Sequence, residues 1–265
     1  MTRIEEKFAQ LRSTGRKAFI PYLTAGDPNL ETTLELVLAL EPAGADIIEL
    51  GVPFSDPIAD GPVIQRATER ALHHGVTLHK VLQLGQNIRR KSGIPMVLFS
   101  YFNPLLNHGL ERLAKDAVDS GFDGVLASDL TVEESEPFVR TMRSAGLNTI
   151  FLAAPTSSPA RLKKIAAASS GFLYAVSRTG VTGEQQELAS GLKQFLQTLR
   201  GHTTSPIAVG FGISRPEHVR AVWQEADGAI VGSSIVKEVE QNMEKPDLVE
   251  RVAAFAAWLK GSQSK

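Results

Sequence analysis

Three carboxylates lie close together in the stretch IIELGVPFSDPIADGPVIQRA, residues 47–67. Glu49 ends an apolar run, and Asp56 and Asp60 follow among prolines and glycines. A carboxyl group that is desolvated by burial has a raised pKa, which suits a general acid or base near neutral pH. Aspartate beside proline or glycine is also typical of a tight turn. For Asp56 and Asp60 the turn is the simpler interpretation, although their loop is long and partly apolar for an α/β unit.

Glu49 lies in the run DIIELG, residues 46–51, which predicts a β-strand. Side chains alternate along a strand, so Ile47 and Glu49 share one face while Ile48 and Leu50 share the other. If the first face is the interior of a barrel, Glu49 sits at the top of an apolar core and can act as an acid or base. The alternative is a strand-end glutamate that faces solvent or pairs with a basic residue. Position alone does not separate the two.

Two glycine-rich segments near the end of the chain suggest a phosphate site. VGFGIS, residues 209–214, and IVGSSIV, residues 230–236, each close an apolar run and lead into a predicted helix. Small residues at a helix N-terminus leave backbone N–H groups accessible to an anion. Glycines also form turns and caps, but two such segments in succession predict phosphate contacts from Gly212, Gly232 and Ser233.

Eight short apolar runs predict the strands that would position these residues, and amphipathic segments between them predict helices. The runs do not alternate with polar residues, as expected for parallel strands covered on both faces. Three junctions, AGADIIEL, SGFDGVLA and QEADGAIV, repeat an aspartate at the strand entrance: Asp46, Asp123 and Asp227. About eight βα units predict a (β/α)8 TIM barrel in a single domain, residues 1–265, with 261–265 as a frayed tail. The predicted strands are 17–24, 46–51, 94–101, 123–128, 148–154, 171–177, 205–212 and 227–233.

A barrel predicts where the site lies, because active sites of this fold are built from the loops after the strands. Glu49 ends the second predicted strand, and the two glycine-rich segments follow the seventh and eighth, where such barrels often bind phosphate. The segment SRTGVTGEQQEL, residues 177–188, follows the sixth strand and has few hydrophobic anchors. It predicts a loop that closes over substrate as a lid, with an ordinary surface loop as the alternative.

The composition excludes several classes of function. The 28 basic and 29 acidic residues leave a net charge of −1, so no general attraction to nucleic acid or an anionic membrane is predicted. The absence of cysteine excludes disulfides and thiol chemistry. None of the six histidines ends a predicted strand, and no metal site is predicted.

The first residues predict an amphipathic helix, since Ile4, Phe8 and Leu11 recur at helical spacing among charged residues. A signal peptide would need a continuous apolar stretch there. No run approaches the ~20 apolar residues that a membrane span requires. The expected location is the cytoplasm.

Five segments together form a recognisable series: FIPYLTAGDP (19–28), IELGVPFSDPIADGPVIQ (48–65), YFNP (101–104), SRTGVTG (177–183) and GFGIS (210–214). In content and order they resemble the tryptophan synthase alpha subunit family, and the resemblance covers essentially the whole chain. It implies a TIM barrel with additional helices, including one before the first strand. It also implies cleavage of indole-3-glycerol phosphate to indole and glyceraldehyde 3-phosphate.

The resemblance assigns roles to individual residues. Glu49 and Asp60 match the family's catalytic carboxylates: Glu49 would protonate the indole ring and later accept a proton from a substrate hydroxyl, and Asp60 would bind the indole N–H. The remaining matches are phosphate contacts from Gly183, Gly212, Gly232 and Ser233, and an indole pocket of Tyr22, Ile64, Phe99, Tyr101, Tyr174 and Thr182.

The resemblance also implies a partner, a pyridoxal-phosphate beta subunit that receives the indole in an alpha2beta2 complex. The apolar loop around Asp56 and Pro57 is the expected contact surface. No cofactor is expected in this chain, because the indole ring itself can accept the electrons of the broken bond. The alternatives are a stand-alone lyase, a non-catalytic regulatory subunit, and a different phosphate-binding barrel enzyme such as a sugar-phosphate isomerase.

Overall fold

Parallel strands form a closed ring at the centre of the molecule. The computed structural model describes residues 1–176, 185–210 and 212–261, without the side chains of 185–190. The strands are β1 (Ala18–Thr24), β2 (Ile48–Gly51), β3 (Met96–Ser100), β4 (Gly124–Ala127), β5 (Asn148–Ile150), β6 (Leu152–Ala153), β7 (Leu173–Val176), β8 (Ile207–Gly210) and β9 (Gly228–Val231).

The ring closes through its fifth predicted strand, which the structure divides at Phe151. Pairing runs in the order β5-β4-β3-β2-β1-β9-β8-β7-β6, and every pair is parallel. β5 pairs with β4 and β6 pairs with β7, so one continuous segment, 148–154, joins the two ends of this order. The predicted TIM barrel is therefore confirmed.

Helices surround the ring and cover its lower end. In the described part of the chain, no helix is both long and apolar enough to cross a membrane. The helices are α1 (Arg3–Ser13), α2 (Leu30–Leu40), α3 (Pro62–His73), α4 (Leu78–Arg89), α5 (Phe102–His108), α6 (Leu110–Asp119), α7 (Glu136–Ser144), α8 (Pro159–Ala168), α9 (Gln185–Arg200), α10 (Pro216–Glu225), α11 (Ser233–Asn242) and α12 (Leu248–Lys260).

The extra helix α1 closes the bottom of the barrel. Thr2 caps it, and the Glu5 side chain accepts a hydrogen bond from the Thr2 backbone, so both halves of a capping box are present. Its apolar residues enter the barrel interior, where the ring of Phe8 lies 5.8 Å from that of Phe172. The helix predicted from Ile4, Phe8 and Leu11 is confirmed, and it covers the lower end of the barrel.

A repeated hydrogen-bond pair joins neighbouring strands at the bottom of the barrel. In each pair, a residue at a strand entrance donates its backbone N–H to a carbonyl at the start of the neighbouring predicted strand, the one that comes before it in the chain. The side chain of this entrance residue accepts a hydrogen bond from the backbone N–H of the residue whose carbonyl it binds. The N–H and the carbonyl of that partner residue are therefore both hydrogen-bonded. The side-chain acceptors and their donors are Asp46 with Phe19 (3.0 Å), Asp123 with Met96 (2.9 Å), Ser170 with Thr149 (2.9 Å) and Asp227 with Ile207 (2.9 Å).

Candidate active site

A cavity of about 600 Å³ opens at the C-terminal end of the ring of strands, a volume typical of small-molecule sites. Each of the eight predicted strands contributes a residue to its wall, because residues two apart on a strand point to the same side. These residues are Tyr22, Glu49, Phe99, Ser128, Leu152, Tyr174, Gly210 and Ile230.

Glu49 is fully buried at the inner end of this cavity. It shares a strand face with Ile47, which belongs to the barrel core, whereas Ile48 and Leu50 belong to the layer between strands and helices. Neither oxygen of its carboxyl group has a hydrogen-bond partner among the described residues. Desolvation raises the pKa of Glu49 to about 8. The predicted inward orientation is confirmed, and burial favours the protonated form of the group at neutral pH.

Asp60 lies where the loop after β2 meets α3. The Asp60 backbone N–H donates a hydrogen bond to the Pro57 carbonyl (3.0 Å). The Asp60 backbone carbonyl accepts a hydrogen bond from the Gln65 side chain (2.9 Å). Asp60 lines the cavity. Burial raises the pKa of Asp60, and the nearby Tyr101 hydroxyl opposes this rise. The backbone of Asp60 therefore forms the predicted turn, and the residue lines the cavity, while its chemical role stays a prediction.

Two tyrosines cross the cavity floor at positions where the neighbouring strand has glycine. The ring of Tyr22 meets that of Phe99 edge to face, with centroids 5.3 Å apart. A Cβ at Gly51 would lie 2.5 Å from Cζ of Tyr22, and a Cβ at Gly210 would lie 2.7 Å from Cε1 of Tyr174. Atoms this close would clash, so both glycines are required for the tyrosines to lie across the strands.

The opposite side of the cavity offers backbone donors. Gly232 is the N-cap of α11 and Ser233 its first residue, and no side chain of the described residues caps this helix. Its first N–H groups are therefore free for an anion. The Ser234 hydroxyl donates to the Ile213 carbonyl (2.6 Å) and so connects this helix start to the loop after β8. Gly212, with φ +64°, lies in that loop and also lines the cavity.

The remaining predicted residues fall into three groups. Ile64 lines the cavity, whereas Tyr101 is buried beneath the loop, where its hydroxyl accepts the Ala59 N–H (2.9 Å). Asp56 and Pro57 lie on a separate surface depression beside Ile58, a residue that is 86% exposed. Thr182 and Gly183, and most of the predicted lid 178–188, lie outside the described residues.

Comparison with known proteins identifies the family. The model of the family described as "Tryptophan synthase alpha chain" matches residues 8–263. A tryptophan synthase alpha chain of Solibacter usitatus is 51% identical over 260 residues, covering 98% of this chain and 97% of the relative. One from Roseiflexus castenholzii is 48% identical over 262 residues, covering 98% and 100%.

The chain belongs to the tryptophan synthase alpha chain family.

Solved structures of the family agree with this assignment. Tryptophan synthase subunit alpha from Legionella pneumophila str. Paris superposes with a TM-score of 0.92 at 36% identity, covering 99% of this chain and 98% of that one. A chain of the tryptophan synthase a2b2 complex from Pyrococcus furiosus gives 0.86 at 39% identity, covering 92% and 98%.

The family motifs did not identify every residue of the cavity. The alternation that located Glu49 also predicts inward-facing residues at the other strand ends, so it could have found Ser128, Leu152, Gly210 and Ile230. The Ser128 hydroxyl is buried without a hydrogen-bond partner among the described residues. The helix-borne residue Lys237 lines the cavity too, and strand alternation gives no signal for it.

Burial of Glu49 has a cost in stability that depends on pH. Its folded pKa of about 8 exceeds the ordinary 4.5, so between these values the unfolded state loses a proton that the folded state keeps. Stability therefore falls as pH rises through this window, by roughly 4 kcal/mol in total at pH 8. We expect Glu49→Gln to stabilise the protein more at pH 8 than at pH 5, as measured by urea unfolding at both pH values. An equal effect at both would contradict the buried, protonated state.

The close approach of the Tyr22 ring to Gly51 gives another testable prediction. We expect Gly51→Ala to displace the Tyr22 ring and lower kcat/KM roughly 10²-fold, because small displacements in a site have effects of this size. Gly93→Ala is the matched control, since a Cβ there meets no atom within 4 Å. Steady-state kinetics of both variants test this, and equal activity would show that Tyr22 can move without consequence.

Proposed function

We propose that this chain is a carbon–carbon lyase of tryptophan biosynthesis that cleaves indole-3-glycerol phosphate to indole and glyceraldehyde 3-phosphate. The observation that supports it most is Glu49, a buried carboxyl group with a pKa of about 8, in the same cavity as the half-buried carboxyl group of Asp60. Cleavage at an aromatic carbon requires an acid that is protonated at neutral pH and a group that stabilises positive charge on the ring.

In the proposed reaction, Glu49 donates its proton to C3 of the indole ring, which makes the ring an electron acceptor. The Glu49 carboxylate then takes the proton from the hydroxyl on the side-chain carbon attached to C3. As the C=O bond of the aldehyde forms, the C–C bond breaks and its electrons return to the ring. Asp60 accepts a hydrogen bond from the indole N–H and stabilises the positive charge of the intermediate. Protons and electrons balance without a cofactor in this chain.

The two ends of the cavity suit the two ends of this substrate. Aromatic and aliphatic side chains, including Tyr22, Phe99 and Leu152, form an apolar wall for the indole ring. The start of α11, with Gly212 beside it, would bind the phosphate through backbone N–H groups. We propose that Gly183 adds a further phosphate contact and that Thr182 and the 178–188 segment cover the bound substrate.

We propose that the partner is a pyridoxal-phosphate beta subunit that receives the indole in an alpha2beta2 assembly. The a2b2 complex from Pyrococcus furiosus supports this proposal. Asp56 and Ile58 are exposed on the loop after β2, and this loop also contains Asp60. Binding of a partner there would act directly on the catalytic loop. The cytoplasmic location stays a prediction.

One assay tests the proposed function. Purified chain is mixed with indole-3-glycerol phosphate, alone and with a beta subunit, and indole release is measured. We expect release in both cases, with an increase when the beta subunit is present. The absence of release in both would contradict the lyase, and release unaffected by the beta subunit would favour a stand-alone enzyme. Activation of the beta subunit without any cleavage would favour a regulatory role.

A further inference from the structure

An ion-pair network connects two helices whose N-termini face the cavity. Arg70 on α3 donates from Nε and Nη2 to the two oxygens of Asp27 (2.7 and 3.0 Å), and from Nη1 to Glu240 on α11 (2.8 Å). Glu240 also accepts two hydrogen bonds of 2.7 Å from Arg66. Bidentate arginine–carboxylate pairs are strong and geometrically specific. The network therefore sets the orientation of α3 relative to α11.

The network is shielded more than a typical surface ion pair. The side chain of Asp27 is 3% exposed, that of Glu240 19% and that of Arg70 22%. Hydrogen bonds from Arg66 and Arg70 lower the pKa of Glu240 to about 2. Glu240 therefore stays charged at neutral pH, and the link between the helices persists.

The linked helices hold opposite parts of the proposed substrate site. α3 begins at Pro62, two residues after Asp60, and α11 begins at Ser233. Arg70 is eight residues from the start of its helix and Glu240 seven from the start of its own, so the link lies about 10–12 Å below both N-termini. Between the link and the cavity, Ile64 and Val236 pack together in one apolar cluster, with Tyr22 against them.

We propose that Arg70 and Glu240 are positioning residues that fix the distance between Asp60 and the phosphate-binding start of α11, and thereby match the site to the length of the substrate. This inference rests on the proposed function. A ligand that joins an indole ring to a phosphate needs both subsites at the correct spacing, whereas indole or a phosphate ester alone needs only one. Loss of the spacing should therefore weaken the joined ligand selectively.

The test compares three ligands that are not cleaved: indole, glycerol 3-phosphate, and 3-(indol-3-yl)propyl phosphate, which joins the two parts. In Arg70→Met we expect the Kd of the joined ligand to rise about 10-fold or more. The Kd of each fragment should stay within about twofold of the wild type. Arg70→Lys should recover part of the loss. Arg140→Met is the control, since it breaks an exposed pair with Glu136 on α7, away from the cavity.

Arg70→Met leaves the buried Asp27 without its partner and could therefore destabilise the fold as a whole. A second variant separates such an effect from the loss of spacing. Glu240→Leu releases α11 while the Arg70–Asp27 pair stays intact, and it should give the same selective loss. Kd values that are unchanged from the wild type for all three ligands in both variants would overturn the proposal. An equal rise in Kd for all three ligands would also overturn it. A wild-type chain that fails to bind the joined ligand would instead contradict the proposed function.

Discussion

Replacing Glu49 by glutamine is expected to abolish most of the indole release, with a fall in kcat of ~10²–10⁴-fold. Glutamine has nearly the same size but cannot donate the proton that the indole ring needs. Binding of 3-(indol-3-yl)propyl phosphate should be retained, because the cavity keeps its shape. Steady-state kinetics and a binding titration measure the two effects separately. Near-normal release by the variant would show that another group supplies the proton.

The pH dependence of the wild-type chain provides a further check on the same residue. Glu49 must be protonated at the start of the proposed cycle, and its pKa is about 8. The value of kcat/KM should therefore fall as the pH rises through about 8, and the pKa obtained from this profile belongs to the free enzyme. A profile that is flat from pH 7 to 9 would contradict the assignment of Glu49 as the acid.

Asp60→Asn is expected to give the second large loss, about 10²–10³-fold in kcat, because it removes the negative charge that stabilises the protonated ring. The fold of the loop should survive, since Asp60 holds its turn through backbone groups and asparagine is also a good turn residue. Circular dichroism and kinetics together test this prediction. Unchanged turnover would leave Asp60 as a turn former only.

Asp56→Asn is the matched control in the same loop. Asp56 is exposed, and its carboxyl group accepts a hydrogen bond from the Ser55 hydroxyl (2.7 Å). Turnover by the isolated chain should be unchanged, while activation by a beta subunit should decrease. A loss of basal turnover equal to that of Asp60→Asn would mean that the loop as a whole, rather than one carboxylate, is responsible.

Local patterns predicted the barrel, because βα order depends only on neighbouring residues. The helix formed around Ile4, Phe8 and Leu11 follows from the same kind of signal. Strand alternation left two orientations open for Glu49, and the family resemblance favoured the one that faces the barrel interior. The division of the fifth strand at Phe151 was not predicted, because the segment reads as one apolar run. The sequence also cannot show that Gly51 is required, since the reason is the ring of Tyr22 on the adjacent strand.

Contacts between residues far apart in the chain were the features of the structure that the sequence predicted least. Asp27, Arg70 and Glu240 are separated by 43 and 170 residues, and each looks like an ordinary charged surface residue in its own segment. Only the closed ring brings β1, α3 and α11 side by side. Tyr101 is a similar case, since its motif gave no sign that its hydroxyl accepts a hydrogen bond from the loop that contains Asp60. Its role in the indole pocket stays a prediction.

The hydrogen-bond pairs at the bottom of the barrel reveal a four-fold rotational pseudosymmetry. Their acceptors, Asp46, Asp123, Ser170 and Asp227, precede β2, β4, β7 and β9. Since β5 and β6 together are one predicted strand, these are the second, fourth, sixth and eighth strands, and the repeating unit is two βα modules. Ser170 can occupy the position that aspartate occupies in the other three pairs, because the hydrogen-bond pair needs only a side-chain oxygen as acceptor. The upper end of the barrel breaks this symmetry completely, since each loop there has its own length and chemistry. Acidic residues thus stabilise the fold at one end, where their oxygens accept hydrogen bonds. At the other end they carry the proposed reaction, and there the Glu49 oxygens have no hydrogen-bond partner in the part of the chain that the structure describes.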